Sequence, residues 1–93
     1  MIEDMKAIVT VVGKDQVGII ASVCNQLAQY NVNVLDISQT VMQGYFTMMM
    51  VVDVSACTVE LAKLCGIMEE TGAAKGLSIR LQREDIFEAM HRI

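Results

Sequence analysis

The chain has no proline, no tryptophan and a single histidine, and its seven Lys and Arg are outnumbered by eleven Asp and Glu. Without proline, a low-complexity tract or a Gly/Ser-rich linker, nothing divides its 93 residues, which suffice for one modest core. A net charge of −4 means that a nucleic acid would meet repulsion rather than release counterions, so direct DNA or RNA binding is not expected. An RNA-recognition sheet also needs aromatics on its central strands for base stacking. Tyr45 and Phe46 are adjacent here and so point to opposite faces.

No apolar run approaches the roughly 20 residues that cross a bilayer. The start, Met1 to Lys6 (MIEDMK), lacks the basic head and apolar stretch of an export signal, so a cytoplasmic location is expected. Cys24, Cys57 and Cys65 are odd in number and form no Cys-x-x-Cys pair, which argues for reduced, buried thiols and against a metal site. His91 lies next to the chain end, where a solvent-exposed helix residue is the simple reading. No nucleophile stands beside a base, so neither an enzyme nor a cofactor is expected.

What is present is apolar surface. Apolar residues make up 54% and charged residues 19%, rich for a monomer of this size, and burial against a second copy is the simple remedy. Lys6 to Val12 (KAIVTVV) is β-branched and stops at the turn-prone Gly13, Lys14 and Asp15, giving a strand over about 6–12. Ile20, Val23, Cys24, Leu27 and Ala28 form one helical stripe within a helix over about 18–30, ended by Asn31 or Asn33.

Leu35, Ile37 and Val41 alternate with Asp36, Ser38 and Thr40 in a strand over 33–42, expected to bury one face and to lie at an edge of the sheet. Gln43 and Gly44 reverse the chain into an interior strand over 45–53, where Met48, Met49 and Met50, with Met42 before the turn, read as adaptable core. Thr58 can cap a helix over about 58–71, with Leu61, Leu64, Cys65 and Met68 in its stripe and Gly72 at its end. Leu77, Ile79 and Leu81 share one face of a strand over 76–83. A short helix over 85–91 then offers Ile86, Phe87 and Met90 to one end of the sheet.

This order, βαββαβ plus a short C-terminal helix, predicts an α+β, ferredoxin-like fold. Right-handed crossovers place two helices on one face of a four-stranded antiparallel sheet. The loop from Gly13 to Ile20 stands out for function. Two glycines flank a charged turn that runs into a helix whose first backbone N–H groups lack partners, and such an end can hold a carboxylate. The same glycines also serve simply to permit the turn.

Val11 to Val23 (VVGKDQVGIIASV) and Leu27 to Gln39 (LAQYNVNVLDISQ) resemble the ACT domain signature, in which a strand ends in Asp-x-x-Gly and a helix-to-strand turn carries Asn before an apolar residue. The segments DISQTV, YFTMM and IFEAMHRI are similar to those of small single-ACT proteins. More distantly, the chain resembles the glycine cleavage system repressor and the front of formyltetrahydrofolate deformylase. The resemblance implies a homodimer that binds an amino acid or related metabolite at its subunit boundary and acts on a target protein. It implies that Asp15 is the polar loop position, Gly18 the close-approach glycine, Ile19 and Ile20 the exposed helix start, and Asn33 the turn amide. Backbone N–H groups near Gly18 would take the ligand carboxylate, and Asp15 with the Asn33 oxygen its ammonium group. Gln16 and Val17 replace the frequent Arg-Pro of that loop. A ligand-independent protein-interaction module is the alternative reading.

Overall fold

The computed structural model describes residues 5–14 and 17–83. The elements are β1 (Lys6–Lys14), α1 (Ile19–Gln29), β2 (Asn33–Met42), β3 (Tyr45–Asp53), α2 (Leu61–Ala74) and β4 (Ser78–Arg83). The strands form one antiparallel sheet in the order β2-β3-β1-β4. This is the expected ferredoxin-like arrangement, and the helix expected over 85–91 lies outside the described residues.

Alternation along the central strands sorts the sheet into two faces. Ala7, Val9 and Val11 of β1, Phe46, Met48, Met50 and Val52 of β3, and Ile79 and Leu81 of β4 are buried in one cluster with Ile19, Val23 and Leu27 of α1 and Leu64 and Met68 of α2. Both described helices therefore lie on that face of the sheet. Burying each large member of the cluster contributes about 1.5–3 kcal/mol. Met48 and Met50 are core residues, whereas Met42 and Met49 are exposed. The three cysteines are free and half-buried, less deeply placed than the composition suggested.

Both helices end in the same device. Beyond α1, the N–H of Val32 donates to Leu27 O and that of Asn31 to Ala28 O, with Asn31 left-handed at φ 61°. Beyond α2, the N–H of Leu77 donates to Gly72 O and that of Gly76 to Ala73 O, with Gly76 at φ 73°. These are Schellman closures, which pair carbonyls that a helix end otherwise leaves open. The α2 closure corrects the sequence reading, because the helix runs through Gly72 to Ala74. Gly72 is needed for close packing: a Cβ there would lie 2.8 Å from both Leu77 O and Ile79 Cγ1.

Two other expectations shift for identifiable reasons. β1 continues through Gly13 and Lys14, paired with Phe46 and Tyr45, because Gly13 makes room for Leu77 rather than turning the chain. A Cβ at Gly13 would come 2.5 Å from Leu77 Cδ2. At its start, α2 begins at Leu61 with Glu60 at the cap, while the Thr58 N–H donates to Tyr30 O and ties this loop to the end of α1.

β2 departs most from expectation. A bulge between Val34 and Asp36 removes Leu35 from the regular ladder. Beyond it, Ile37 pairs with Met50 and Val41 with Phe46, which places both on the helix-bearing face. As the outermost strand, β2 is left largely uncovered there: Ile37 is 39% and Val41 56% exposed. The face read as buried is therefore open to a partner. The turn itself is as expected, with Gln43 and Gly44 both at positive φ, the geometry of a two-residue hairpin.

Candidate functional site

The α1 start is open at the backbone level. Gly18 occupies the cap position at φ 84° and contributes no side-chain hydrogen bond. The first turn closes with the Ser22 N–H donating to Gly18 O at 2.9 Å. The N–H groups of Ile19, Ile20 and Ala21 therefore have no acceptor within the helix. This end of α1 faces the far part of β2 across a cavity of about 370 Å³, lined by Gly18, Ile19, Ile20, Ala21, Gln39, Thr40, Val41 and Phe46. No charged residue lines it among the described residues, and Gln39, paired with the core residue Met48, is the polar side chain of β2 on this face of the sheet.

Three of the five expected site residues, Gly18, Ile19 and Ile20, thus meet around one cavity. Asp15 lies outside the described residues. Ile19 is a correction to the exposed helix start: its side chain is buried in the core, and Ile20 is half-buried against it, because the first turn of α1 already packs on the sheet. Gln39, Thr40 and Val41 were not singled out in the sequence. Their signal was the alternation of an edge strand, which reads as core until the strand order is known.

Asn33 stands elsewhere. It opens β2 opposite Asp53, eight residues from Val41, a separation of about 25 Å along the strand. It is exposed, with no side-chain hydrogen bond among the described residues. The amide of the same turn that does have a partner is Asn31, whose Nδ2 donates to Ala56 O at 3.1 Å and holds the turn in place. Within one protomer, Gly18 and Asn33 cannot touch the same small molecule.

A larger concavity, about 590 Å³, runs along the free edge of β4 and is lined by Glu69 and residues 77–82. None of the expected residues that are described lines it, and it follows the edge of the sheet beside α2. No cluster of three His, Cys, Asp or Glu residues among the described residues could hold a metal ion. Cys65 donates its thiol to Leu81 O at 3.2 Å. Burial, followed by the nearby Glu69 charge, pushes that thiol's pKa up, so it is poorly suited as a nucleophile. Among the described residues, no helix is long and apolar enough to cross a membrane.

Charge is distributed unevenly around this site. From Gln16 to Val52 the only charged side chain is Asp36. That stretch supplies α1, β2 and most of β3, and it also carries the exposed Leu35, Ile37, Val41, Met42, Tyr45 and Met49. An uncharged, partly apolar surface of this kind is what the centre of a protein interface requires.

Comparison with known proteins agrees with this architecture. The family model for the ACT domain matches residues 6–82. A UPF0237 protein of Bifidobacterium longum is 57% identical over 88 residues, covering 95% of this chain and 98% of its own length. An ACT domain protein from Streptococcus pneumoniae superposes with a TM-score of 0.81 at 45% identity, covering 96% of this chain and all of that one. Likeness in fold alone extends to a putative glycine cleavage system transcriptional repressor (TM-score 0.73, 21% identity, 86% of this chain and 46% of that one) and to a formyltetrahydrofolate deformylase from Pseudomonas syringae (TM-score 0.77, 20% identity, 87% and 28%).

Proposed function

The chain belongs to the ACT domain family, typically small-molecule-binding regulatory modules, and from that premise we propose that it is a homodimeric sensor of an amino acid or related metabolite. The observation that carries this reading is the cavity between the start of α1 and the uncovered end of β2. The N–H groups of Ile19, Ile20 and Ala21 would take a carboxylate, and Gln39 would orient the rest against Val41 and Phe46. Asp15, two residues before Val17 in the same loop, would hold an ammonium group. The module would regulate a target protein in the cytoplasm rather than perform chemistry.

Dimerisation supports the same site. The chain enters β2 at Asn33 and leaves it near the Gly18 end of α1, so antiparallel pairing of β2 with a second copy about Gln39 would set Ile37, Ser38 and Gln39 of that copy beside the β2 wall of the cavity. The exposed Ile37 and Val41 and the uncharged side of the molecule favour such pairing. The test combines two measurements. Thermal-shift and calorimetric screens against amino acids and folate-pathway metabolites should find a binder that Gly18→Trp abolishes. Val41→Lys should convert a dimer to a monomer in sedimentation and weaken the same ligand at least tenfold. Absence of any binder across the panel, or binding unaffected by Gly18→Trp, would refute the sensor.

One observation favours a second reading. Val12, Met42, Tyr45 and Met49 leave the open sheet face exposed and apolar, which suits a ligand-independent module docking on an enzyme or regulator. A partner captured equally by the protein and by its Gly18→Trp variant, with no ligand found, would select this reading.

A further inference from the structure

The sheet face turned away from α1 and α2 is chemically lopsided at one end. Antiparallel pairing lines up its outward side chains in rows across the strands. Lys14, Tyr45 and Met42 share one row. Val12 lies in the next, and Arg80, Thr10 and Met49 share the one after. Val12, Met42, Tyr45 and Met49 are each at least 40% exposed, and Lys14 and Arg80 are exposed as well. The other outward positions of these rows are Ser or Thr, so the patch holds two cations and no carboxylate, in a chain of net charge −4. Further along the same face the next cation, Lys6, already has Asp53 across from it.

The two kinds of group are also sorted from side to side. Lys14 and Arg80 stand on β1 and β4, whereas Met42, Tyr45 and Met49 stand on β2 and β3, with Val12 between. Apolar groups beside unmatched charge of one sign fit a partner that is apolar along one stripe and of opposite charge beside it. The partner must use side chains rather than backbone, because β1 and β3 are both paired on two sides and offer no free edge here. Helices meet the opposite face in that way. Two cations in a net-negative chain are too few to hold a nucleic-acid backbone or an anionic bilayer.

We propose that this end of the face docks an amphipathic helix of a target protein. Its apolar stripe lies over Val12, Tyr45, Met42 and Met49, and its carboxylates meet Lys14 and Arg80. Lys14 is four residues from Thr10, the partner of Arg80, about 13 Å along the strand. A helix spans that distance in about nine residues, so acidic positions some two and a half turns apart reach both cations. This assigns a partner chemistry to the docking reading given above and rests on that reading, not on the cavity at the start of α1.

The full chain with a photoreactive residue at Thr47, in the middle of the patch, tests the assignment. After illumination in the native cell, mass spectrometry of the attached peptide should show apolar positions three and four apart with Asp or Glu along one flank. A synthetic copy of that peptide should bind the purified protein, and the double variant Lys14→Glu, Arg80→Glu should weaken it at least tenfold. Exchanging the peptide's acidic residues for Lys should restore binding to the double variant, which a misfolded protein could not do. Attachment to a segment without carboxylates, or binding indifferent to the double variant, would overturn the proposal while leaving the face a docking surface. Attachment to lipid, to nucleic acid or to a second copy, or no attachment at all, would overturn both.

Discussion

Two glycines in the same helix should respond to the same substitution with opposite sign. In a helix interior, alanine is favoured over glycine by about 0.5–1 kcal/mol, because glycine loses more backbone freedom on folding. At Gly66 nothing lies within 4 Å of the position a Cβ would take, so Gly66→Ala should stabilise by about that amount. At Gly72 the new carbon would lie 2.8 Å from Leu77 O and 2.8 Å from Ile79 Cγ1. The first of these is backbone and is locked by the Leu77 N–H bond to Gly72 O at 2.8 Å, so α2 and β4 must part by several tenths of an ångström. Overpacking of this kind costs about 1–3 kcal/mol, and the upper half of that range applies because rigid backbone is involved. After the propensity gain, Gly72→Ala should be about 1–2 kcal/mol less stable than the parent, a gap of about 2–3 kcal/mol between the two variants. For a domain of this size that is on the order of 10 °C or more in Tm. Urea and thermal unfolding, both at one protein concentration to hold any self-association constant, read it directly. A Gly72→Ala protein as stable as Gly66→Ala would refute the close-packing account and return Gly72 to the helix-ending role its sequence position suggested.

The α1 closure makes a ranked prediction. Asn31→Gly keeps the left-handed backbone and loses only the bond to Ala56 O, costing about 1 kcal/mol, whereas Asn31→Ala also strains the backbone and should cost about 2 kcal/mol in the same unfolding assay. Equal stability of the two variants would contradict it. Asp53 predicts a pH effect. The Ser55 hydroxyl at 2.5 Å and the Ser55 N–H at 2.9 Å, with a smaller contribution from Lys6, hold its carboxyl below the ordinary value of 3.8. A depressed carboxyl stabilises the fold fully above that ordinary value, and the contribution fades as pH falls through the lower, folded-state value. Carboxyl-carbon NMR should find the Asp53 midpoint below 3.8 and an upward move in Ser55→Ala, and an unmoved midpoint would contradict the assignment.

The fold was legible because its strongest signals are local. Val23 and Leu27, like Leu64 and Met68, repeat at helical spacing and do pack inward, and the β2–β3 hairpin falls where Gln43 and Gly44 placed it. What was not legible depends on neighbours distant in sequence. Only the approach of β4 tells that Gly72 packs rather than terminates. Only the strand order tells that Ile37 and Val41 are uncovered, since an edge strand and a half-buried inner strand alternate alike. Of the expected site residues, Gly18 and the α1 start line a cavity. That Asn33 lies a strand's length away follows from topology alone, and no spacing in the sequence measures it.

The bulge at Leu35 carries a consequence for symmetry. A regular ladder on the outer edge of β2 can begin only after it, which leaves Asp36 to Met42 as the uninterrupted stretch. A second copy aligned antiparallel along that stretch has its two-fold axis at the midpoint, Gln39. Val41 then lies opposite Ile37 of the other copy and Thr40 opposite Ser38, like against like on each face, with two glutamine amides meeting on the axis. Sliding by two residues in either direction would carry the bulge into the ladder or strip the apolar pairs. In a dimer paired through β2, as proposed, the irregularity would work as an end-stop that leaves one alignment.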